Sequence, residues 1–333
     1  MNDVAMASVY VTRKIPEFGL KLLQAAGHDV TISEKDGVLT KEELLTTLSA
    51  QSYDAVLCLL TDTIDGEVFD AVPSAKIFAN YAVGYNNIDL AAAAERGVII
   101  TNTPGVLTDT VAEYALSLIL ATVKRIPEAD RFTRAGKYEG WAPELFLGSD
   151  MKGKTLGILG AGRIGSGVAE RAHAAFGTTI IYYDVKPNPD FEKATGATYK
   201  EDVASVLKEA DIVSVHVPLL ESTHHLIGEA ELALMKPTSY LINTSRGPVV
   251  DEDALVVALE KGVIRGAGLD VFENEPTLAS GLAKLENVVI TAHIASASEE
   301  TRSKMSEMAA QNIIDVLAGN DPQNPVTSAP TAG

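Results

Sequence analysis

Short apolar runs alternate with stretches of helical period along most of the chain. Residues 8–12 predict a strand, and residues 17–26 carry a helix pattern behind it. Further strands are predicted at 30–32, 55–59, 75–79 and 98–101. Thr40, followed three residues on by Glu43, predicts a capped helix start between the first two of these. The alternation of strand and helix predicts a parallel sheet covered on both faces. Thr103-Pro104-Gly105 breaks the series, and an amphipathic helix is predicted over 108–124. Residues 126–153 have no sheet pattern and carry Pro127, Pro143 and several glycines. A second series follows, with strands at 155–159, 180–183, 212–216, 240–243, 266–270 and 288–290. Residues 300–318 return to helical period, and the Pro-, Thr- and Ala-rich tail after Gly319 is expected to fray. The pattern predicts an α/β protein with two doubly wound parallel-sheet units. The last helix fits either unit.

At 333 residues the chain is long enough for two such cores. A formal net charge of −18 argues against a nucleic-acid partner or an anionic membrane surface. The longest apolar stretch, 111–123, is too short to span a bilayer and contains Glu113. The first eight residues lack the basic and apolar segments of a secretion signal. The single cysteine, Cys58, lies in an apolar run, so no intrachain disulfide is possible and a buried inert thiol is expected. A cytoplasmic protein without a metal site is the expectation.

Gly160-Ala161-Gly162-Arg163-Ile164-Gly165 directly follows one predicted strand and opens a predicted helix. Gly160 permits the tight turn, Gly162 lets backbone approach a pyrophosphate, and Gly165 lets helix and strand pack closely. The helix start at Arg163 and Ile164 offers N–H groups and a positive dipole end to phosphates. Asp184 ends the next strand, where a carboxylate accepts hydrogen bonds from ribose hydroxyls and repels a 2′-phosphate. Its successors Val185, Lys186 and Pro187 include no arginine, which favours NAD over NADP.

Three chemical groups follow at strand ends. Arg246, in Asn243-Thr244-Ser245-Arg246-Gly247, can pair with a carboxylate edge. Asp270, Glu273 and Glu275 cluster after the next strand, and spacing does not say which one works. His293 follows the last strand of the series; His216 also ends a strand and is its nearest competitor, whereas His173, His224 and His225 lack that placement.

These residues, with Ala82-Val83-Gly84-Tyr85-Asn86-Asn87-Ile88-Asp89, Thr101-Asn102-Thr103-Pro104-Gly105-Val106-Leu107-Thr108-Asp109 and Gly268-Leu269-Asp270-Val271-Phe272-Glu273-Asn274-Glu275-Pro276, carry a resemblance. The chain resembles the D-isomer-specific 2-hydroxyacid dehydrogenases along nearly its whole length, most of all the glyoxylate/hydroxypyruvate reductase branch. The resemblance implies two Rossmann-like domains with a cleft between them: a discontinuous substrate domain, 1–104 and 298–333, and a nucleotide domain, 105–297. It implies Arg246, Glu275 and His293 as catalytic residues. Leu59, Val83 and Gly84 would contact substrate beside Arg246. Thr110 would face the nicotinamide, Val217 and Pro218 would flank the adenine side, Asp270 would lie near the nicotinamide amide, and Thr244 would join the cofactor set. A homodimer is implied, with Trp141 reaching into the partner's substrate pocket. The family usually has Pro before the catalytic His and Gly two residues after it; here Ala292 and Ala295 stand there, and Ala295 would be strained if that position needed positive φ.

The expected reaction is NAD(H)-linked interconversion of a small 2-keto acid and its D-2-hydroxy acid, with Arg246 polarising the carbonyl and His293 moving the proton. Glyoxylate and hydroxypyruvate lead, and pyruvate follows. D-Lactate or D-3-phosphoglycerate dehydrogenation is the alternative within the family, and an NAD-sensing protein-binding regulator is the alternative of another class.

Overall fold

The computed structural model describes residues 6–327, which fall into two compact units, one running to Leu107 and resuming at Ala297, the other spanning Thr108–Ser296. The first unit holds β1 (Ser8–Val11), β2 (Asp29–Ile32), β3 (Ala55–Cys58), β4 (Ile77–Asn80) and β5 (Ile99–Thr101). They form one parallel sheet in the order β2-β1-β3-β4-β5. Every residue of β3 and β4 is buried, which is why those runs are apolar without alternation. The Thr40 hydroxyl accepts the Glu43 N–H and the Glu43 carboxylate accepts the Thr40 N–H, so the predicted helix start is a capping box. Cys58 is buried, and desolvation pushes its thiol well above the usual range, in line with an inert side chain.

The long helix Glu299–Leu317 belongs to this first unit. It packs on the helix Glu17–Ala25, where a Cβ on Gly19 would sit 2.1 Å from the Ser306 carbonyl oxygen. Ser306 Oγ accepts the Gly19 N–H at 2.9 Å and donates to the Pro16 carbonyl at 2.7 Å. Fraying after Gly319 does not describe residues 320–327. The Val326 N–H donates to Ile100 O at 2.8 Å and the Asn324 N–H to Asn312 Oδ1 at 3.1 Å, so this stretch is fastened along β5 and the long helix. The remainder of that expectation lies outside the described residues.

The second unit holds β6 (Thr155–Leu159), β7 (Thr179–Tyr183), β8 (Thr198–Tyr199), β9 (Ile212–Val215), β10 (Tyr240–Asn243), β11 (Gly266–Leu269) and β12 (Val288–Ile290). Its parallel sheet runs β12-β11-β10-β9-β6-β7-β8. Strand order reverses between β6 and β9, and ligands of such sheets bind beyond the strand ends at that point. The helix Thr108–Val123 buries Ala112, Ala115, Leu118 and Ile119 in this unit. It approaches the sheet at Gly268, where an added Cβ would lie 2.7 Å from Thr122 Oγ1 and 2.9 Å from Leu118 Cγ. A further helix, Ile126–Arg134, follows Arg125 in left-handed conformation (φ 57°), in a stretch with no predicted element. No helix among the described residues is long and apolar enough to cross a membrane.

Candidate active site

The glycine turn sits at the switch point between β6 and β9. Gly160 has φ 95°, and a Cβ there would meet the His216 carbonyl carbon and the Val217 nitrogen at 2.8 Å, so both conformation and space demand glycine. A Cβ on Gly165 would lie 2.1 Å from Gly160 O. Gly162 is the N-cap of the helix Arg163–Phe176, and no side chain caps that helix. Its first-turn N–H groups can therefore serve an anion. Asp184 lies just past β7, its Oδ2 accepting the Ala161 N–H at 2.8 Å and its Oδ1 the Val185 N–H at 2.7 Å. The carboxylate is thereby pinned beside the turn. Thr244 Oγ1, beyond β10, is buried without a hydrogen-bond partner. An orphaned buried hydroxyl and an uncapped helix start behind the glycine turn fit a dinucleotide. Val217 is nearly buried and Pro218 exposed at the end of β9; Arg163 is exposed, Ile164 partly buried, and Thr110 lies in the first turn of Thr108–Val123.

Beyond β11 and β12 the three carboxylates separate by partner. Glu275 Oε2 lies 2.9 Å from His293 Nδ1, and Glu275 Oε1 accepts the Phe272 N–H at 3.0 Å. Burial acts to raise the Glu275 pKa, but the His293 hydrogen bond and charge, the Phe272 N–H and the Arg246 cation together bring it below the ordinary value of 4.5. Glu273 bonds His225 Nε2 at 2.7 Å and accepts the Glu252 N–H. Asp270 is fully buried and braces the histidine loop. Its Oδ1 accepts from the Thr291 hydroxyl (2.7 Å) and the Ile294 N–H (2.9 Å), its Oδ2 from the Ala295 N–H (2.8 Å), and its backbone carbonyl from the His293 N–H (2.8 Å). Of the three carboxylates, only Glu275 meets the His293 imidazole.

The same brace bears on Ala295, two residues after His293. The positive φ in this loop belongs to His293 itself (53°), while Ala295 is buried with its N–H on Asp270 and has no positive φ. Alanine at 295 therefore carries no backbone strain, contrary to the concern raised by the missing glycine. The Asp270 carboxylate instead holds the histidine in the left-handed region. Asp270→Ala removes the acceptor for three donors and is expected to cost about 3 kcal/mol of stability. It should also lower turnover more than NADH affinity. Urea unfolding midpoints with kcat and NADH titration test this; an unshifted midpoint with wild-type turnover would rule the brace out.

Arg246 follows β10. The Asn243 side-chain N–H donates to its carbonyl at 2.9 Å, and Arg246 Nη1 donates to Ser245 O at 2.8 Å. Gly247 next to it has no room for a side chain, since a Cβ would meet Phe272 backbone at 1.9 Å. That contact brings the arginine segment against the loop of Glu275. Burial lowers the guanidinium pKa, and the Glu275 charge opposes the shift. It stays a cation at neutral pH. The competitor His216 keeps part of its surface exposed, yet its Nε2 pairs with Ser214 Oγ at 2.8 Å and desolvation pushes its pKa down to about 4. It is therefore no proton donor near neutrality.

In the first unit, the expected substrate-contact loops follow β3 and β4. Asn80 Nδ2 donates to Gly84 O at 2.9 Å and Asn102 Nδ2 to Val83 O at 2.8 Å, so both carbonyls are tied back. Among the described residues neither the Val83 nor the Gly84 N–H has a partner in the chain, which leaves two donors for an anion. Leu59 is held by its N–H on Asp62 Oδ2 (2.8 Å) and its carbonyl under Asn87 Nδ2 (3.1 Å). Burial pushes the Asp62 carboxyl up, offset in part by the Leu59 N–H, the Thr12 hydroxyl and Arg13. Sequence reasoning missed these supports, Asp62, Asn80, Asn87 and Asn102; the last two lie inside the motifs that carry the resemblance, which was the available signal. Trp141 is 85% exposed.

A model of the D-isomer specific 2-hydroxyacid dehydrogenase NAD binding domain matches residues 116–295. A protein named glyoxylate reductase from Korarchaeum cryptofilum is 49% identical over 318 residues, covering 95% of this chain and 94% of its own. A solved structure from Thermus thermophilus superposes with TM-score 0.90 at 42% identity, covering 96% of this chain and all of its own. An NADPH-dependent glyoxylate/hydroxypyruvate reductase from Sinorhizobium meliloti, solved with NADP and malonate, has TM-score 0.84 at 35% identity, covering 97% of both chains.

Proposed function

The chain belongs to the D-isomer-specific 2-hydroxyacid dehydrogenases, and on that footing we propose that it reduces glyoxylate and hydroxypyruvate to their 2-hydroxy acids with NADH. The observation that carries the reading is the His293–Glu275 pair at 2.9 Å, with the Arg246 cation acting on the same carboxylate. Gly160, Gly162, Gly165, Arg163, Ile164, Asp184, Val217, Pro218, Thr244, Thr110 and Asp270 are assigned to the cofactor. A nicotinamide held there would supply the hydride. Arg246 binds the keto-acid edge and draws electron density from the carbonyl. His293 delivers a proton from Nε2, the nitrogen that Glu275 leaves open, to the developing alkoxide. Glu275 holds the ring and stabilises its cation. Leu59, Val83 and Gly84 are assigned to the substrate, the last two as N–H donors to its carboxylate.

NADH is preferred because Asp184 is fixed in place by two backbone N–H groups and would oppose a 2′-phosphate. The substrate domain is assigned to 1–104 with 298–333 and the nucleotide domain to 105–297. A homodimer is proposed on the exposed apolar side chains of the segment after Pro104, including Ile126 (55% exposed), Tyr138 (55%), Trp141 and Leu147 (56%). Light scattering should give twice the chain mass; a monomer would refute the dimer. The reduced, buried Cys58 suits the cytoplasm.

The deciding experiment is NADH oxidation against glyoxylate, hydroxypyruvate and pyruvate, repeated with NADPH. Turnover of the first two with NADH, exceeding that with NADPH, is expected. A chain that binds NADH yet turns over none of the three would overturn the reading, and an NADPH preference would overturn the role given to Asp184.

A further inference from the structure

A second cluster lies on the nucleotide unit, apart from the His293–Glu275 pair. His224, His225 and Glu273 each offer one ligand atom, and the three atoms lie within 4.8 Å of one another. The two imidazoles stack with centroids 4.1 Å apart and planes 29° from parallel. Adjacent residues of an extended chain would send their rings to opposite sides. Here His225 is left-handed (φ 50°), which breaks that alternation. Two of the three groups are fixed from behind. The His225 N–H donates to Pro248 O at 2.8 Å, and Glu273 accepts the Glu252 N–H at 3.2 Å while its own N–H donates to Glu252 Oε2 at 2.7 Å.

From this arrangement we propose a divalent transition-metal site of the zinc class at His224, His225 and Glu273. Zinc bonds of about 2.0–2.1 Å to nitrogen and oxygen in a tetrahedron separate the ligand atoms by about 3.3 Å. The His225–Glu273 distance of 2.7 Å opens by roughly half an ångström when an ion replaces the shared proton. His224 is exposed, its ligand nitrogen already within 4.8 Å of the other two ligand atoms, and water would take the fourth position. Two imidazoles with one carboxylate select zinc-like ions over magnesium or calcium, which demand oxygen. The carboxylate oxygen not facing the ion is already hydrogen-bonded, as ligands of such ions require. The chain's charge of −18 adds a general attraction for cations. A bound ion would tie the turn at 224–225 to the loop that also carries Glu275. This revises the expectation of no metal site, and it stands independently of the reaction proposed above.

The test uses the full chain, stripped with chelator and titrated with zinc chloride against a chromophoric competitor. One equivalent is expected to bind and to raise the thermal midpoint. His224→Ala, a surface change, should weaken binding by roughly tenfold or more and abolish that rise. Glu273→Gln should do the same, and His173→Ala should change nothing. Wild-type zinc affinity in His224→Ala, no binding by the native chain, or binding lost instead in His293→Ala would each overturn the site.

Discussion

His293→Ala is expected to lower kcat for glyoxylate reduction by about 10²- to 10⁴-fold, the usual contribution of a positioned acid. NADH affinity, read by fluorescence titration, should change less than twofold. Nδ1 of His293 is committed to Glu275 at 2.9 Å, and the backbone N–H to Asp270, so the loop survives truncation of the ring. What disappears is Nε2. His216 does not replace it, because desolvation holds that ring neutral down to about pH 4. Glu275→Gln should retain part of the activity, since the amide can still hold the ring but no longer stabilises its cation. The pH dependence of stability has a definite sign. The Glu275 carboxyl is depressed below 4.5 in the folded chain, so its contribution is present above that value and lost as the pH falls through the folded one. The stability gap between native chain and Glu275→Gln should therefore close on acidification. A His293→Ala enzyme with native turnover, or a gap that widens toward acid, would remove the pair from the mechanism.

The strands that carry this chemistry were legible because most of them are buried at nearly every position. A four-residue run such as β10, buried at every position, has no other reading once a Gly-rich turn punctuates the series. The helix Ile126–Arg134 escaped for the opposite reason. It buries none of its residues and opens on Pro127, which reads in sequence as a break. The two-residue β8 is below the length at which pattern means anything, and the fastening of residues 320–327 depends on hydrogen bonds to residues such as Ile100, far away in sequence. At the site, Arg246 and His293 stood out by their strand-end positions, but residues alone could not choose among Asp270, Glu273 and Glu275. That choice is made by partners: an imidazole for Glu275, a different imidazole for Glu273, and three loop donors for Asp270. The left-handed φ at His293 rather than at residue 295 was likewise invisible, because it is imposed by Asp270 across the gap between strand ends.

Arg246→Ala is expected to reduce kcat/KM for the keto acid by roughly a thousandfold, equivalent to about 4 kcal/mol for a paired, charge-assisted contact. The loss should fall on both KM and kcat, since the guanidinium holds the substrate edge in the ground state and meets more charge as the alkoxide develops. NADH binding should persist, because the glycine turn, Asp184 and Thr244 do not depend on the arginine side chain. The position is demanding in geometry as well as charge. Gly247 packs its backbone against Phe272, and Asn243 ties the Arg246 carbonyl, so the side chain leaves a segment that has little freedom to shift. Arg246→Lys keeps the charge without the planar fork and should recover only part of the loss. The loss of its cation would also let the Glu275 pKa rise, because Arg246 is one of the groups holding it down. The acid limb of the Arg246→Ala rate profile should accordingly move to higher pH. Full recovery by lysine would reduce the arginine to a bare point charge, and a native kcat/KM in Arg246→Ala would take it out of the site altogether.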